Sequence, residues 1–140
     1  MKPPPSRRAD VFFYGLFMDP DLLRAEGFAP EGAELASVPG FALRIGKRAA
    51  LAPDGTARVH GSVMSLTLAE LERLYSVPSL QAYKPQAVLA HLARGGIIAA
   101  LCYNLPEPPA PSDRNPEYAS KLRVVAQKVG LPAEYIDSLS

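Results

Sequence analysis

The chain has 140 residues, with 15 Lys and Arg against 14 Asp and Glu, and a formal net charge of +1. Near-neutral charge argues against a surface built for nucleic acid or an anionic membrane. The 48% hydrophobic and 21% charged residues are those of a globular chain rather than a disordered one. A single cysteine, Cys102, excludes a disulfide within the chain and a zinc site built on several thiols.

The length predicts one domain able to bury its own core. The expected division is a flexible, basic, proline-rich tail over residues 1–9 and a single domain over 10–140. The apolar segment after the basic start is too short and too aromatic for a signal-peptide core. The longest uncharged apolar runs, residues 11–18 and 95–105, fall well short of the roughly 20 residues of a membrane span. With one cysteine and no such span, the reading is a protein of the reducing cytoplasm. The 15 prolines concentrate at the start and over residues 106–116, where they predict an ordered or semi-rigid loop.

In chain order, Val11-Phe12-Phe13-Tyr14 predicts a buried strand stopped by Gly15. Asp19-Pro20-Asp21 has the grammar of a helix start: a capping Asp, a proline in the first turn and an acid facing the dipole. Gly27 ends that helix. Residues 31–39 read as a connection with some strand, and residues 41–45 alternate like a half-buried strand. Residues 48–51, an Asp54-Gly55 turn and residues 57–66 read as a hairpin. Thr67 and Glu70 form a capping box ahead of a short helix with Leu68, Leu71 and Leu74-Tyr75 on its apolar stripe, ended by Pro78. Residues 85–92 and 97–105 around Arg94-Gly95-Gly96 give the strongest hairpin signal. Asn115-Pro116-Glu117 opens a helix with Tyr118, Leu122, Val125 and Val129 on one face, closed by Gly130. A last short helix is expected within residues 132–139. Hairpin-linked strands with segregated helices predict an α+β fold, a curved or closed sheet with helices packed outside.

For chemistry, His60 and His91 fall in different strands with no carboxylate at ligand spacing, so no metal site is expected. Cys102, within a core strand, reads as a structural thiol. No Gly-x-Ser-x-Gly elbow is present. Arg44, Lys47 and Arg48 are either a solvated strand edge or an anion-binding wall. In Tyr14-Gly15-Leu16-Phe17-Met18-Asp19 a strand turns at a glycine and leads into a helix, a geometry whose backbone N–H groups can converge on an anion.

The order and spacing of several motifs resemble the gamma-glutamyl cyclotransferases and their AIG2-like relatives. They are Phe13-Tyr14-Gly15, then His60-Gly61-Ser62-Val63-Met64 before Leu68, Leu71 and Leu74, then Tyr83 and Cys102-Tyr103. Asn115-Pro116-Glu117-Tyr118 and Gly130-Leu131-Pro132-Ala133-Glu134-Tyr135 complete the set. The resemblance spans roughly residues 10–139. It implies a small mixed β-barrel flanked by helices, with a pocket at one end and no cofactor. Tyr14, Gly15, Leu16 and Phe17 would form the ligand-binding turn, with Tyr83, Tyr103 and Tyr118 nearby.

The family's reaction is intramolecular aminolysis. A substrate α-amine attacks the γ-carbonyl and releases 5-oxoproline, while a glutamate moves the proton as base and then acid. That glutamate sits in a Leu-Asp-x-x-Glu-Gly pattern after the short helix. Here the stretch reads Leu74-Tyr75-Ser76-Val77-Pro78-Ser79, which puts proline where the carboxylate belongs; Leu16 also replaces the serine expected after Gly15. Glu70 is engaged by its capping box, Glu117 is explained by its helix dipole, and Ser76 cannot shuttle a proton near neutral pH. Glu72 is the candidate displaced base.

The residues leave three readings open. The first is a pocket protein that binds a small γ-glutamyl or carboxylate ligand without the usual chemistry. The second is an active cyclotransferase or related acyl-transfer enzyme using a displaced carboxylate, and the third a structural or interaction module. The expected partner is a small molecule, with room for a homodimer and no role for nucleic acid or membrane.

Overall fold

The computed structural model describes residues 7–139. Five strands, β1 (Arg8–Phe13), β2 (Glu31–Ile45), β3 (Ala49–Thr67), β4 (Lys84–Leu92) and β5 (Ile97–Asn104), close into a barrel in the order β1-β3-β2-β4-β5. All neighbours are antiparallel except the closing pair, where β1 runs parallel to β5 at Val11 and Leu101. Four helices lie outside: α1 (Pro20–Ala25), α2 (Leu68–Leu74), α3 (Pro116–Val129) and α4 (Ala133–Ser138). The expected α+β barrel is therefore what the chain forms. Among the described residues no helix is long and apolar enough to cross a membrane.

The end of β1, residues 11–13, carries no polar alternation, and its packing shows why. Phe12 points into the barrel with Val38, Leu51, Val59 and Cys102. Val11 and Phe13 point outward, into a second core beneath the helices with Met64, Leu71 and Leu122. A strand covered on both faces has no solvent side on which to place polar residues.

The helix boundaries fall where the caps put them. Asp19 Oδ1 accepts the Asp21 N–H at 3.0 Å, Thr67 and Glu70 form the reciprocal capping box, and Asn115 Oδ1 accepts the Tyr118 N–H at 3.1 Å. Gly130 closes α3 in the left-handed conformation, φ 89°. Lys128 Nζ lies 2.7 Å from the buried Asp19 carboxylate and 3.0 Å from Asp21, tying α3 to the start of α1.

Three sequence expectations are corrected. Residues 31–39 are not a connection; they form the first part of the 15-residue strand β2. Arg8 and Ala9, assigned to the tail, already pair with Thr67 and Leu66 in β1; residues 1–6 of that tail lie outside the described residues. Asp54-Gly55 does not join two strands either. The β2–β3 hairpin turns at residues 46–48, and β3 continues through Asp54. The turn chemistry is real but local: Asp54 Oδ1 accepts the Thr56 N–H at 2.9 Å and hydroxyl at 2.8 Å. It folds the extra residues that appear where the pairing jumps from Pro39–Arg58 to Phe41–Pro53.

Candidate functional site

The site begins where β1 leaves the barrel. After Phe13 the chain passes Tyr14 and Gly15 and makes one 3-10 turn, Leu16–Met18, before Asp19 caps α1. Gly61 of β3 makes this exit possible, because a Cβ there would stand 2.0 Å from the Phe13 carbonyl oxygen. Ser62 pins the far end of the turn, its hydroxyl donating to the Met18 carbonyl at 2.7 Å. Within the turn, the Met18 N–H bonds to the Gly15 carbonyl and the Asp19 N–H to that of Leu16.

The opposite wall is an open strand edge. β3 pairs with β1 only from Ser62 onward, so among the described residues its outer edge near Ala49 and Leu51 has no strand beside it. Side chains serve the exposed backbone groups instead. The Tyr83 hydroxyl donates to the Ala49 carbonyl. The buried Asn104 amide accepts the Leu51 N–H at 2.8 Å and donates to the Leu51 carbonyl at 2.9 Å.

Between this edge and the turn lies a cavity of about 290 Å³. Tyr14 crosses one side, donating its hydroxyl to the Tyr103 carbonyl at 2.8 Å. Tyr75 stacks on Tyr103. The Tyr118 hydroxyl sits against Gly15, 3.0 Å from where a side chain would begin there. Phe12, Phe17, Leu22 and Leu80 complete an apolar lining, and Arg48 and Glu26 are its charged members.

Burial, with the nearby Cys102 and tyrosines adding to it, raises the Tyr14 phenol far above its ordinary range, and the same causes raise Tyr75. Burial also raises Tyr83 and Tyr118, against which the positive charge of Arg48 works in both; for Tyr118 the backbone N–H groups of Ala49 and Leu16 also oppose it. These hydroxyls are neutral hydrogen-bonding groups rather than bases. Cys102 is fully buried, and burial pushes its thiol up to about 12, so it is the structural thiol the sequence suggests.

Tyr14, Gly15, Leu16, Phe17, Tyr83, Tyr103 and Tyr118, from separate segments of the chain, all line this one cavity. Glu72, the sequence candidate for a displaced base, is exposed on α2 and absent from the lining. Pro78 and Ser76 are exposed as well, and the Ser76 hydroxyl donates to the Arg73 carbonyl at 2.7 Å. The basic cluster divides. Arg44 donates to the Pro109 carbonyl at 3.0 Å, Lys47 faces a neighbouring groove, and Arg48 lines the cavity. His60 and His91, far apart in sequence, are paired to Ser37 from either side in the sheet.

Sequence reasoning missed Tyr75 and Glu26 as site residues. Tyr75 has helical spacing and reads as core, yet it is the C-cap of α2, where the chain turns and aims the ring at the cavity. Glu26 carries no sequence signal beyond the end of a short helix. Among the described residues it is the only carboxylate in the lining, and it is exposed there.

The fold and cavity together define a small closed β-barrel with external helices and an aromatic-lined pocket at the exit of its first strand. The sequence pattern of the family described as gamma-glutamyl cyclotransferase, AIG2-like, matches residues 11–121, and the chain belongs to that family. Among solved structures, one titled gamma-glutamyl cyclotransferase is similar at 21% identity and a TM-score of 0.78, over 95% of this chain and 86% of that one. An uncharacterized protein from Homo sapiens is similar at 21% identity and a TM-score of 0.76, over 94% and 86%. An AIG2-like protein from Mus musculus is similar at 17% and 0.56, over 90% and 85%. No curated protein matches the chain.

Proposed function

We propose that the chain holds a small γ-glutamyl-like or carboxylate ligand in this cavity without the proton transfer of a cyclotransferase. The observation that carries this reading is the segment after α2. Where the family pattern leads to a glutamate, this chain gives the cavity the ring of Tyr75 and turns Pro78 to solvent. A proline has no ionisable group, and the tyrosines around the cavity are held neutral. General acid–base catalysis contributes roughly 10²–10⁴-fold, so a pocket that lacks it binds far better than it turns over. The buried thiol of Cys102 is in keeping with a reducing, cytoplasmic setting.

Glu26 favours a second reading, an active enzyme whose proton carrier has moved to the end of α1. The test is release of 5-oxoproline from γ-glutamyl amino acids and γ-glutamyl amines by the purified protein. The expected result is no release above the buffer rate, with the same compounds or 5-oxoproline still bound in a titration. Steady turnover abolished by Glu26→Gln would establish the enzyme instead. No binding of any of these compounds would sink both readings.

A further inference from the structure

Arg48 stands at a junction. It lines the cavity and also a broader groove of about 860 Å³ beside it, and only Leu16, Tyr83 and Tyr118 share that double position. It lies in the short β2–β3 connection, held by the Gly46 N–H bonding to the Arg48 carbonyl at 3.1 Å. Its side chain is half-buried and has one polar side-chain contact, Nη2 donating to the Ser79 hydroxyl at 3.3 Å. Among the described residues it forms no ion pair. Arg24, Arg94 and Lys128, by contrast, each have a carboxylate partner.

The residues that share its double position, Leu16, Tyr83 and Tyr118, bring no negative charge to it. The Tyr118 hydroxyl oxygen is packed against Gly15, beside Arg48 in the lining of both the cavity and the groove. As a phenol, that hydroxyl has a proton to donate. The Tyr83 hydroxyl is already committed to the Ala49 carbonyl. The junction thus collects a guanidinium and a phenolic donor; among the described residues Glu26 is the cavity's only carboxylate, while the groove beyond carries Glu107, Asp113 and Glu117 together with Lys47 and Lys121. A guanidinium presents a planar fork that matches a carboxylate with two parallel hydrogen bonds.

We propose that Arg48 is the specificity-determining anchor of this pocket, binding a ligand carboxylate at the mouth between cavity and groove. The body of the ligand lies against the tyrosines, with its carboxylate turned toward the groove. This rests on the ligand-binding reading above and specifies which part of the ligand is recognised and by what.

The experiment compares 5-oxoproline with 5-oxoprolinamide, which differ at the carboxylate alone, by titration of the full-length protein at neutral pH. The acid is expected to bind roughly tenfold more tightly than the amide. Arg48→Gln should bring the two to within about twofold by weakening the acid alone, and Arg48→Lys should restore part of the difference. If the native protein binds both equally, Arg48 is not the anchor although the pocket reading stands, and this comparison needs no variant. Retention of the acid preference by a folded Arg48→Gln protein overturns the proposal in the same way. Binding of neither compound overturns the proposal and the pocket reading together.

Discussion

The ring of Tyr75 lies flat on the ring of Tyr103, with centroids 3.8 Å apart and 6° between their planes. One ring comes from the C-cap of α2 and the other from β5, so the stack fastens the segment after α2 to the end of the barrel. Tyr75→Ala should cost between about 2 and 4 kcal/mol of stability by chemical denaturation and enlarge the cavity. Tyr75→Phe keeps the stack and should stay within about 0.5 kcal/mol. A Phe variant as damaged as the Ala variant would show that the hydroxyl, rather than the ring, carries the contact.

Gly61 is required by its neighbour rather than by its own backbone angles. A methyl group there would meet the Phe13 carbonyl oxygen at 2.0 Å, and a backbone atom in a closed barrel cannot swing aside as a side chain can. Gly61→Ala should destabilise by about 3 kcal/mol or more and disturb the Tyr14–Phe17 turn immediately beyond. Equilibrium unfolding measures the first effect, and amide shifts of Gly15 and Leu16 report the second.

Glu70 links the acid limit of stability to a particular contact. Burial raises its carboxyl, but the backbone N–H groups of Thr67 at 2.9 Å and Ala29 at 2.7 Å outweigh burial and leave it below its ordinary 4.5. A carboxylate lowered on folding stabilises the protein fully above its unfolded pKa, and that contribution is lost as pH falls through the folded value. Unfolding free energies measured between about pH 6 and about pH 3 should therefore fall more steeply for the native chain than for Glu70→Gln. Thr67→Ala, which opens the other half of the box, should cost about 1 kcal/mol at neutral pH.

Cys102 should be silent toward thiol reagents. Its side chain is fully buried and its thiol is pushed up to about 12 by that burial, so almost no thiolate exists at neutral pH. Mass spectrometry after treatment with a maleimide should show an unmodified native protein and complete labelling once denaturant is added. Rapid labelling of the folded chain would show that the barrel opens at β5 on the time scale of the reaction.

Local chemistry in the sequence determined much of the architecture. The Asp19 and Asn115 caps, the Thr67 and Glu70 box and the Gly130 stop each act within one helical turn, so a reader of residues a few positions apart can place α1, α2 and α3. The Gly95-Gly96 hairpin is equally local. The apolar run at Phe12 and Phe13 marks a strand without alternation, and the ordered motifs point to the barrel of the family. The tyrosines of the cavity were legible only through that family likeness, because nothing in their spacing says that their segments meet.

Tertiary structure decided the rest. The Asp54-Gly55 signal is satisfied by a bend within β3, and only the pairing of β2 with β3 over a longer span shows that the strand continues through it. Closure of β5 onto β1, together with the late start of the β1–β3 pairing, leaves the edge at Ala49 and Leu51 open, and the site is built on that edge. Whether Arg44, Lys47 or Arg48 would face the cavity, and whether Glu72 or Glu26 would reach it, depended on the path of a turn and the end of a helix. Those are set by packing between residues far apart in the chain, which short-range propensity does not encode.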